Sequence, residues 1–128
     1  MIYMTLLIIA VILNRKYKRN LLLTLVVGFS GLMPMQMVTD YYVWWAICLG
    51  FETSKIFLAC YLKVRASYPV MFLCGLMLGC HIALIFVDNL IPHTVIIPIL
   101  EHLEIVSCVL FSHDILQYLK RKIACLWK

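Results

Sequence analysis

The sequence predicts an all-α, polytopic membrane protein with four to five transmembrane helices and a basic amphipathic helix at its C-terminus. The composition is the first observation behind this class: of 128 residues, 65% are hydrophobic and 13% charged, with a mean hydropathy of +1.01. A soluble domain is closer to half apolar and a quarter charged, because it needs a polar surface around its core. The second observation is that basic residues stand at the ends of long apolar runs. A single integral membrane domain over residues 1–128 is therefore expected.

Five apolar runs are the predicted spans, and the residues after them form an interfacial tail. By number, the runs are 1–13, 21–39, 42–62, 68–87 and 95–112, and the tail is 113–128. Runs two to five have about the length that a helix rising 1.5 Å per residue needs to cross a hydrocarbon layer roughly 30 Å thick. The first run is short, and whether it crosses is left open. Helices are expected because a backbone in lipid must satisfy its own hydrogen bonds.

The distribution of basic residues predicts the orientation. Ten of the eleven Lys and Arg residues lie after the first run, after the third run, or in the C-terminal segment. The opposite connections, near Asp40 and at residues 88–94, contain none. By the positive-inside rule the C-terminus faces the cytoplasm of a bacterial inner membrane, with five crossings, or four if the first run stays on one side. The net charge of +5 is thereby explained by topology, and no nucleic-acid partner is expected.

Aromatic and basic residues are predicted to anchor the chain at the two membrane surfaces. Amphipathic rings settle among lipid headgroups, and the residues placed at the outer boundary are Tyr41, Tyr42, Trp44 and Trp45. In the tail, apolar residues that include Trp127 share one helical face, as in a helix lying on anionic lipid. A simple stop-transfer tail is the alternative. The predicted headgroup contacts are Lys120, Arg121 and Lys122.

Two further features concern the shape and packing of single helices. Pro34 falls inside the second run, where a proline frees a carbonyl and bends the helix. In the fourth run Gly75, Gly79 and Ala83 recur every four residues, so three small side chains form one stripe at which another helix can approach closely. The sequence leaves open whether that helix belongs to this chain or to a second copy.

Ionisable residues inside the runs are predicted to form one buried polar cluster. Leaving a charge in lipid costs between about 3 and more than 10 kcal/mol, so these side chains must turn inward and satisfy one another. We expect Lys55 to lie beside Glu52 and Glu104, and His81 and His102 to lie near Glu101. At 1.5 Å per residue, the groups that fall roughly 10 to 20 Å below the outer boundary are Glu52, Lys55, His81, Glu101, His102 and Glu104.

Three roles fit such a cluster: a network that orders the helices, a path for protons or ions, and the polar lining of a pore built from several copies. No enzyme or catalytic site is expected, because no nucleophile stands at a recognisable spacing from His113 and Asp114. The six cysteines form no CxxC motif, so free thiols are expected. The histidines lack a ligand motif, so neither a metal nor another cofactor is predicted.

In general shape, a short chain with several spans, a charged midplane and a basic tail is similar to the permeabilising, holin-like or exclusion proteins of phages and plasmids. The leading hypothesis is therefore a self-associating membrane effector or pore. One alternative is a small ion- or proton-coupled transporter. Another is an accessory or immunity-type subunit that binds a different membrane protein. The expected partners are the lipid bilayer and either further copies of the chain or a partner membrane protein.

Overall fold

Helices make up all the regular structure in the part of the chain that the structure describes, which confirms the all-α class. This computed structural model describes residues 1–32, 41–86 and 90–128, apart from the side chains at 41, 84, 85 and 90–94. Pro34, the predicted kink, lies outside these residues. The six helices are α1 (Ile2–Asn14), α2 (Lys18–Leu32), α3 (Tyr41–Leu62), α4 (Ser67–Phe86), α5 (Leu90–Leu110) and α6 (His113–Leu126).

Helix α5 differs most from the sequence prediction. It begins at Leu90, whereas the fifth run was expected to begin at residue 95. Pro92 falls in the first turn of this longer helix, where a missing N–H group has no helical partner to lose. Pro98 consequently lies inside the helix. A polar stretch that reads as a connection in sequence is thus helical from Leu90 onward.

The helices pack in an order that follows the chain, with α5 at the centre. Helices α3 and α4 form the most extensive pair, and α5 contacts α1, α2 and α4. Helix α6 contacts α1 and α5 only slightly and has no buried residue. The main apolar core draws on α1 to α5 and consists of Ala10, Leu23, Val27, Ala59, Leu62, Ala66, Val70, Cys74, Ile105 and Cys108.

The surface of this bundle carries many large hydrophobic side chains, and several polar or charged side chains are buried. Among the described residues, exposed large hydrophobic side chains outnumber buried hydrophobic ones, whereas Lys55, Glu104 and Asn14 are almost completely buried. One helix segment, Tyr42–Leu62, is long and apolar enough to cross a membrane, and a second span is reached if α5 and α6, which meet at a bend of 64°, count as one. The apolar segments Ile2–Asn14 and Ser67–Ala83 are shorter.

The two basic connections and the basic helix α6 meet at one end of the bundle. Tyr17, between α1 and α2, lies in a common cavity wall with Lys63, between α3 and α4, and with Lys120 of α6. The Tyr17 hydroxyl is 2.9 Å from Nδ1 of His113, at the start of α6. We call this the cationic end. The bundle therefore has one end rich in Lys and Arg, as the alternating directions of consecutive helices require.

Helices α1 and α2 approach closely at two glycines. A Cβ atom added to Gly28 meets the side chain of Leu7, and one added to Gly31 meets the hydroxyl and ring of Tyr3. The Tyr3 hydroxyl lies 3.2 Å from the carbonyl oxygens of both Val27 and Gly28, to which it donates. The ring thus fills the space that Gly31 leaves, and its hydroxyl ties α1 to the backbone of α2.

We expect Gly31→Ala to destabilise the bundle, because the new methyl group displaces the Tyr3 ring and its hydrogen bonds. Overpacking of this kind costs about 1–3 kcal/mol, which exceeds the roughly 0.5–1 kcal/mol that Gly→Ala gains inside a helix. Gly75→Ala is the matched control, since nothing lies within 4 Å of a Cβ atom there. Denaturant unfolding in detergent should show a loss for Gly31→Ala and none for Gly75→Ala; equal stability of the two variants would contradict this packing.

Candidate functional site

A lysine and two glutamates form a buried ion-pair network between α3 and α5. The Lys55 ammonium Nζ is 2.9 Å from Oε1 of Glu52, and 3.0 and 3.2 Å from Oε2 and Oε1 of Glu104. Only 1% of Lys55 and of Glu104, and 6% of Glu52, is exposed. Glu52 and Lys55 are three residues apart on one helix, so they share a face. Glu104 faces them from α5.

A cysteine of α4 completes this arrangement. The buried thiol of Cys74 donates a hydrogen bond of 2.8 Å to Oε1 of Glu104. Glu104 therefore accepts from two different helices, since its carboxylate also binds Lys55. We call Glu52, Lys55, Cys74 and Glu104 the charged centre. It joins α3, α4 and α5 through side chains alone.

Equal distance from the cationic end explains why these side chains meet. Lys55 lies seven residues before the end of α3 and Cys74 seven residues after the start of α4, while Glu104 lies six residues before the end of α5. At 1.5 Å per residue, all three lie about 10 Å from that end. Antiparallel helices of matched length thus bring three distant parts of the sequence into one layer.

The charged centre contains one more acid than base. If all three side chains are ionised, two carboxylates share one ammonium and the site carries a net charge of −1. Oε2 of Glu52 is buried and, among the described residues, has no hydrogen-bond partner. Burying an uncompensated charge or an unsatisfied acceptor is unfavourable. The site consequently favours the binding of one further proton or small cation at its carboxylates.

The remaining predicted cluster residues of α5 lie at the edge of this centre. Glu101 is half-buried one turn before Glu104, and its carboxylate forms no ion pair with any residue in the described ranges. His102 is also half-buried; its Nδ1 is 2.6 Å from the carbonyl oxygen of Pro98, and its ring meets that of Tyr3 edge to face at 5.2 Å. These contacts place the His102 ring against α1.

His81 lies in a separate layer, with the aromatic residues at the start of α3. Its ring meets the Trp44 ring edge to face at 6.0 Å, and its carbonyl oxygen accepts a 2.8 Å hydrogen bond from Nε1 of Trp45. Seven residues separate His81 from Cys74, which is about 10 Å along the helix. The buried polar residues therefore occupy at least two layers instead of one.

The predicted membrane anchors differ in their surroundings. Trp44 and Trp45 are half-buried and pack on α4, whereas Tyr42 and Trp127 are exposed. The side chain of Tyr41 lies outside the described residues. The predicted headgroup contacts on α6 are all exposed; they are Lys120, Arg121 and Lys122. Nζ of Lys122 lies 5.7 Å from the ring centre of Tyr118.

The stripe of small residues on α4 faces outward. Gly75, Gly79 and Ala83 are all exposed, and no atom lies within 4 Å of a Cβ atom added at either glycine. The stripe is therefore not used to pack α4 against another described helix of the same chain.

The charged centre has ligand atoms suited to a cation. Suitable atoms of Glu52, Cys74 and Glu104 lie within 4.8 Å of one another. The Lys55 ammonium already occupies the space between the two carboxylates and supplies the positive charge there. A divalent metal ion held by all three of these side chains would have to displace that ammonium. The present geometry therefore suits exchange of a small monovalent charge better than permanent metal coordination.

The sequence prediction of the cluster omits several interior polar residues, of which Cys74 and Asn14 make the contacts between helices. Counting from the α3–α4 connection gives Cys74 the depth of Lys55. Asn14 directly follows the first predicted run, yet it is buried, and its Nδ2 donates to the carbonyl oxygens of Ala10 at 2.8 Å and Cys108 at 3.1 Å. Only the placement of α1 against α5 reveals this second contact.

Comparison with known proteins gives no relative from which a function could be transferred. No protein-family model and no curated protein matches the sequence, and no solved structure matches the fold. The function is therefore argued from the site itself.

We expect Lys55→Met to destabilise the bundle strongly, because it leaves the Glu52 and Glu104 carboxylates buried without a cation. Removing one partner of a buried ion pair costs about 3–5 kcal/mol. Glu52→Gln keeps the Lys55–Glu104 pair and should cost much less. The exposed Lys122→Met is the matched control. Denaturant unfolding in detergent measures all three, and a Lys55→Met protein as stable as the control would contradict the network.

Proposed function

We propose that this chain is an integral membrane protein that crosses a bacterial inner membrane four or five times, with its cationic end in the cytoplasm. The outward-facing hydrophobic side chains support this. In the apolar window of α3 only 17% of the residues are buried, whereas the core helix of a soluble protein is mostly buried. The meeting of the two basic connections and the basic helix α6 at one end supports the orientation.

Within that frame, we infer that the protein is a small carrier coupled to protons or monovalent cations. The single observation that carries the inference is the charged centre, in which two buried carboxylates share one ammonium between three helices. Ionisable groups inside a membrane bundle are typical of ion and proton pathways, whereas a buried ion pair is weak evidence for added stability. The charged centre is where the exchangeable charge binds.

The excess acid supports a carrier site. Lys55 already satisfies Glu104 with two hydrogen bonds. Glu52 adds a second carboxylate, one oxygen of which has no partner among the described residues. A proton or monovalent cation bound there brings the site to neutrality, and its release restores a charge. Binding and release therefore change the electrostatic energy of the interior, which is what couples a bound ion to helix rearrangement.

The experiment is a flux measurement in liposomes that contain the purified protein and a pH-sensitive dye. Imposed proton and sodium gradients should both be tested, and we expect flux that depends on pH. Glu104→Gln should lower the flux by about tenfold or more, since a hydrogen bond to a charged group is worth roughly 1.5–3 kcal/mol. The fold should persist, because Lys55 keeps Glu52 as its ionic partner and the amide that replaces the Glu104 carboxylate can still accept a hydrogen bond from Lys55.

Glu101→Gln is the matched control, because it removes a half-buried carboxylate from the same helix without touching an ion pair of the described residues. Flux that survives this change but not Glu104→Gln supports the carrier. Flux that is unchanged in both variants, or absent from the unmodified protein, contradicts it.

The second candidate is the self-associating pore or membrane effector, and the outward stripe of Gly75, Gly79 and Ala83 favours it. Small residues on a lipid-facing surface let two helices approach closely enough for backbone contacts. In this arrangement the stripe joins copies, while the charged centre stays inside each copy. The accessory-subunit hypothesis uses the same stripe for a different partner.

Bulky substitution of the stripe tests self-association. The mass of the purified protein in detergent should correspond to several copies, and the double variant Gly75→Ile, Gly79→Ile should shift it to a single copy. Thr5→Ile, an enlargement of an exposed residue on α1, is the control and should leave the mass unchanged. A single-copy mass for the unmodified protein would rule out this candidate, and a stoichiometric second protein would favour the accessory subunit.

A further inference from the structure

A cavity of about 620 Å³ opens at the cationic end, separate from the charged centre. Its walls come from the α1–α2 connection, the α3–α4 connection and the first turns of α2, α4 and α6. Its volume lies within the range of small-molecule sites, about 300–1,000 Å³. The polar and aromatic residues in its wall include Tyr17, Lys63, Arg65, Tyr68, His113 and Lys120.

The charge of the cavity wall is entirely positive among the described residues. Lys63, Arg65 and Lys120 contribute three cations, and no Asp or Glu lines the cavity. The nearest acid to this wall is Asp114, whose Oδ1 is 3.7 Å from Nδ1 of His113, and both side chains are about half exposed. Three like charges around one space repel one another unless an anion binds between them. The cavity therefore favours an anionic ligand.

Helix ends add to this field. Helices α2, α4 and α6 all begin at the cationic end, and each has at least fourteen residues. Asn20, Tyr68 and His113, in their first turns, are part of the cavity wall. Unpaired N–H groups and the positive end of the helix dipole stabilise anions at such positions.

The wall is held in place by contacts between separate elements. The Tyr17 hydroxyl binds His113 at 2.9 Å, and their rings lie 4.5 Å apart, which joins the α1–α2 connection to α6. In the α3–α4 connection the backbone N–H of Val64 donates to Oγ of Ser67 at 3.1 Å, and Lys63 adopts a left-handed conformation with φ of 50°. This conformation is uncommon for a residue with a side chain and turns the chain sharply there. These contacts fix the backbone of the elements that carry the three cations.

We propose that this cavity binds a phosphate-bearing anion through Lys63, Arg65 and Lys120. The guanidinium fork of Arg65 matches two phosphate oxygens, and the two ammonium groups supply point charges. Tyrosine hydroxyls and the amides of Asn20 and Gln117 provide further hydrogen bonds. On the membrane orientation proposed above, the ligand is either the headgroup of an anionic phospholipid or a soluble phosphate from the cytoplasm. The site does not depend on ion transport at the charged centre.

Two probes separate the sources of phosphate. Purified protein in neutral detergent is titrated with inorganic pyrophosphate by calorimetry, and native mass spectrometry measures how much phosphatidylglycerol it retains relative to phosphatidylcholine. Both measurements are repeated with the double variant Arg65→Gln, Lys120→Gln. We expect saturable binding of at least one probe, weakened by about tenfold or more in this variant, as expected for the loss of charge-assisted hydrogen bonds.

The matched control is Arg15→Gln, Lys16→Gln. It removes the same two kinds of charge from the α1–α2 connection, at exposed residues that do not line the cavity. Binding in the control should stay within about twofold of the unmodified protein, because solvent screens charges that do not contact the ligand. Circular dichroism confirms that both variants keep their helices.

If Arg65→Gln, Lys120→Gln loses pyrophosphate binding and the control keeps it, the proposal is supported with a soluble ligand. If the same variant loses phosphatidylglycerol and the control keeps it, the proposal is supported with a lipid headgroup. Binding that falls equally in the two double variants reflects net charge alone and overturns the proposal. The absence of saturable binding of either probe to the unmodified protein overturns it as well.

Discussion

The ion pairing of Lys55 with Glu52 and Glu104 is the interaction on which the arrangement of α3, α4 and α5 depends. Charged groups enclosed by apolar side chains are stable only while they remain paired, so a shift of α5 relative to α3 would leave an ammonium or a carboxylate without its partner. Apolar contacts in lipid do not impose such a requirement, because one hydrophobic surface exchanges readily for another. The charged centre therefore fixes the register of the bundle.

The same centre is suited to exchange because its charges do not balance. One ammonium serves two carboxylates, and one buried oxygen has no partner among the described residues. The imbalance, placed where water is scarce, converts the gain or loss of one small cation into a large change of electrostatic energy. It is the physical basis for favouring a carrier over a purely structural role.

The cationic end follows from a different constraint, the alternation of helix direction along the chain. Basic residues in every second connection must meet on one side, and three helix N-termini meet there with them. The basic residues that predict the orientation and the cavity lined by Lys63, Arg65 and Lys120 thus have one origin. The opposite end, where Trp44 and Trp45 pack against the turn of α4 that carries His81, holds aromatic residues.

The sequence by itself determined the all-α class. Its apolar composition was enough, because a backbone in apolar surroundings must satisfy its own hydrogen bonds, as it does in helices. The pairing of Lys55 with Glu52 follows from their three-residue spacing, which is local. Tertiary structure alone decided that Cys74 joins the centre, that His81 lies a layer away with Trp44, and that Asn14 is buried against α5. The small stripe on α4 was visible in sequence, but its outward direction was not. Periodicity gives the face of a helix, whereas the rotation of one helix against another depends on packing between residues far apart in the chain.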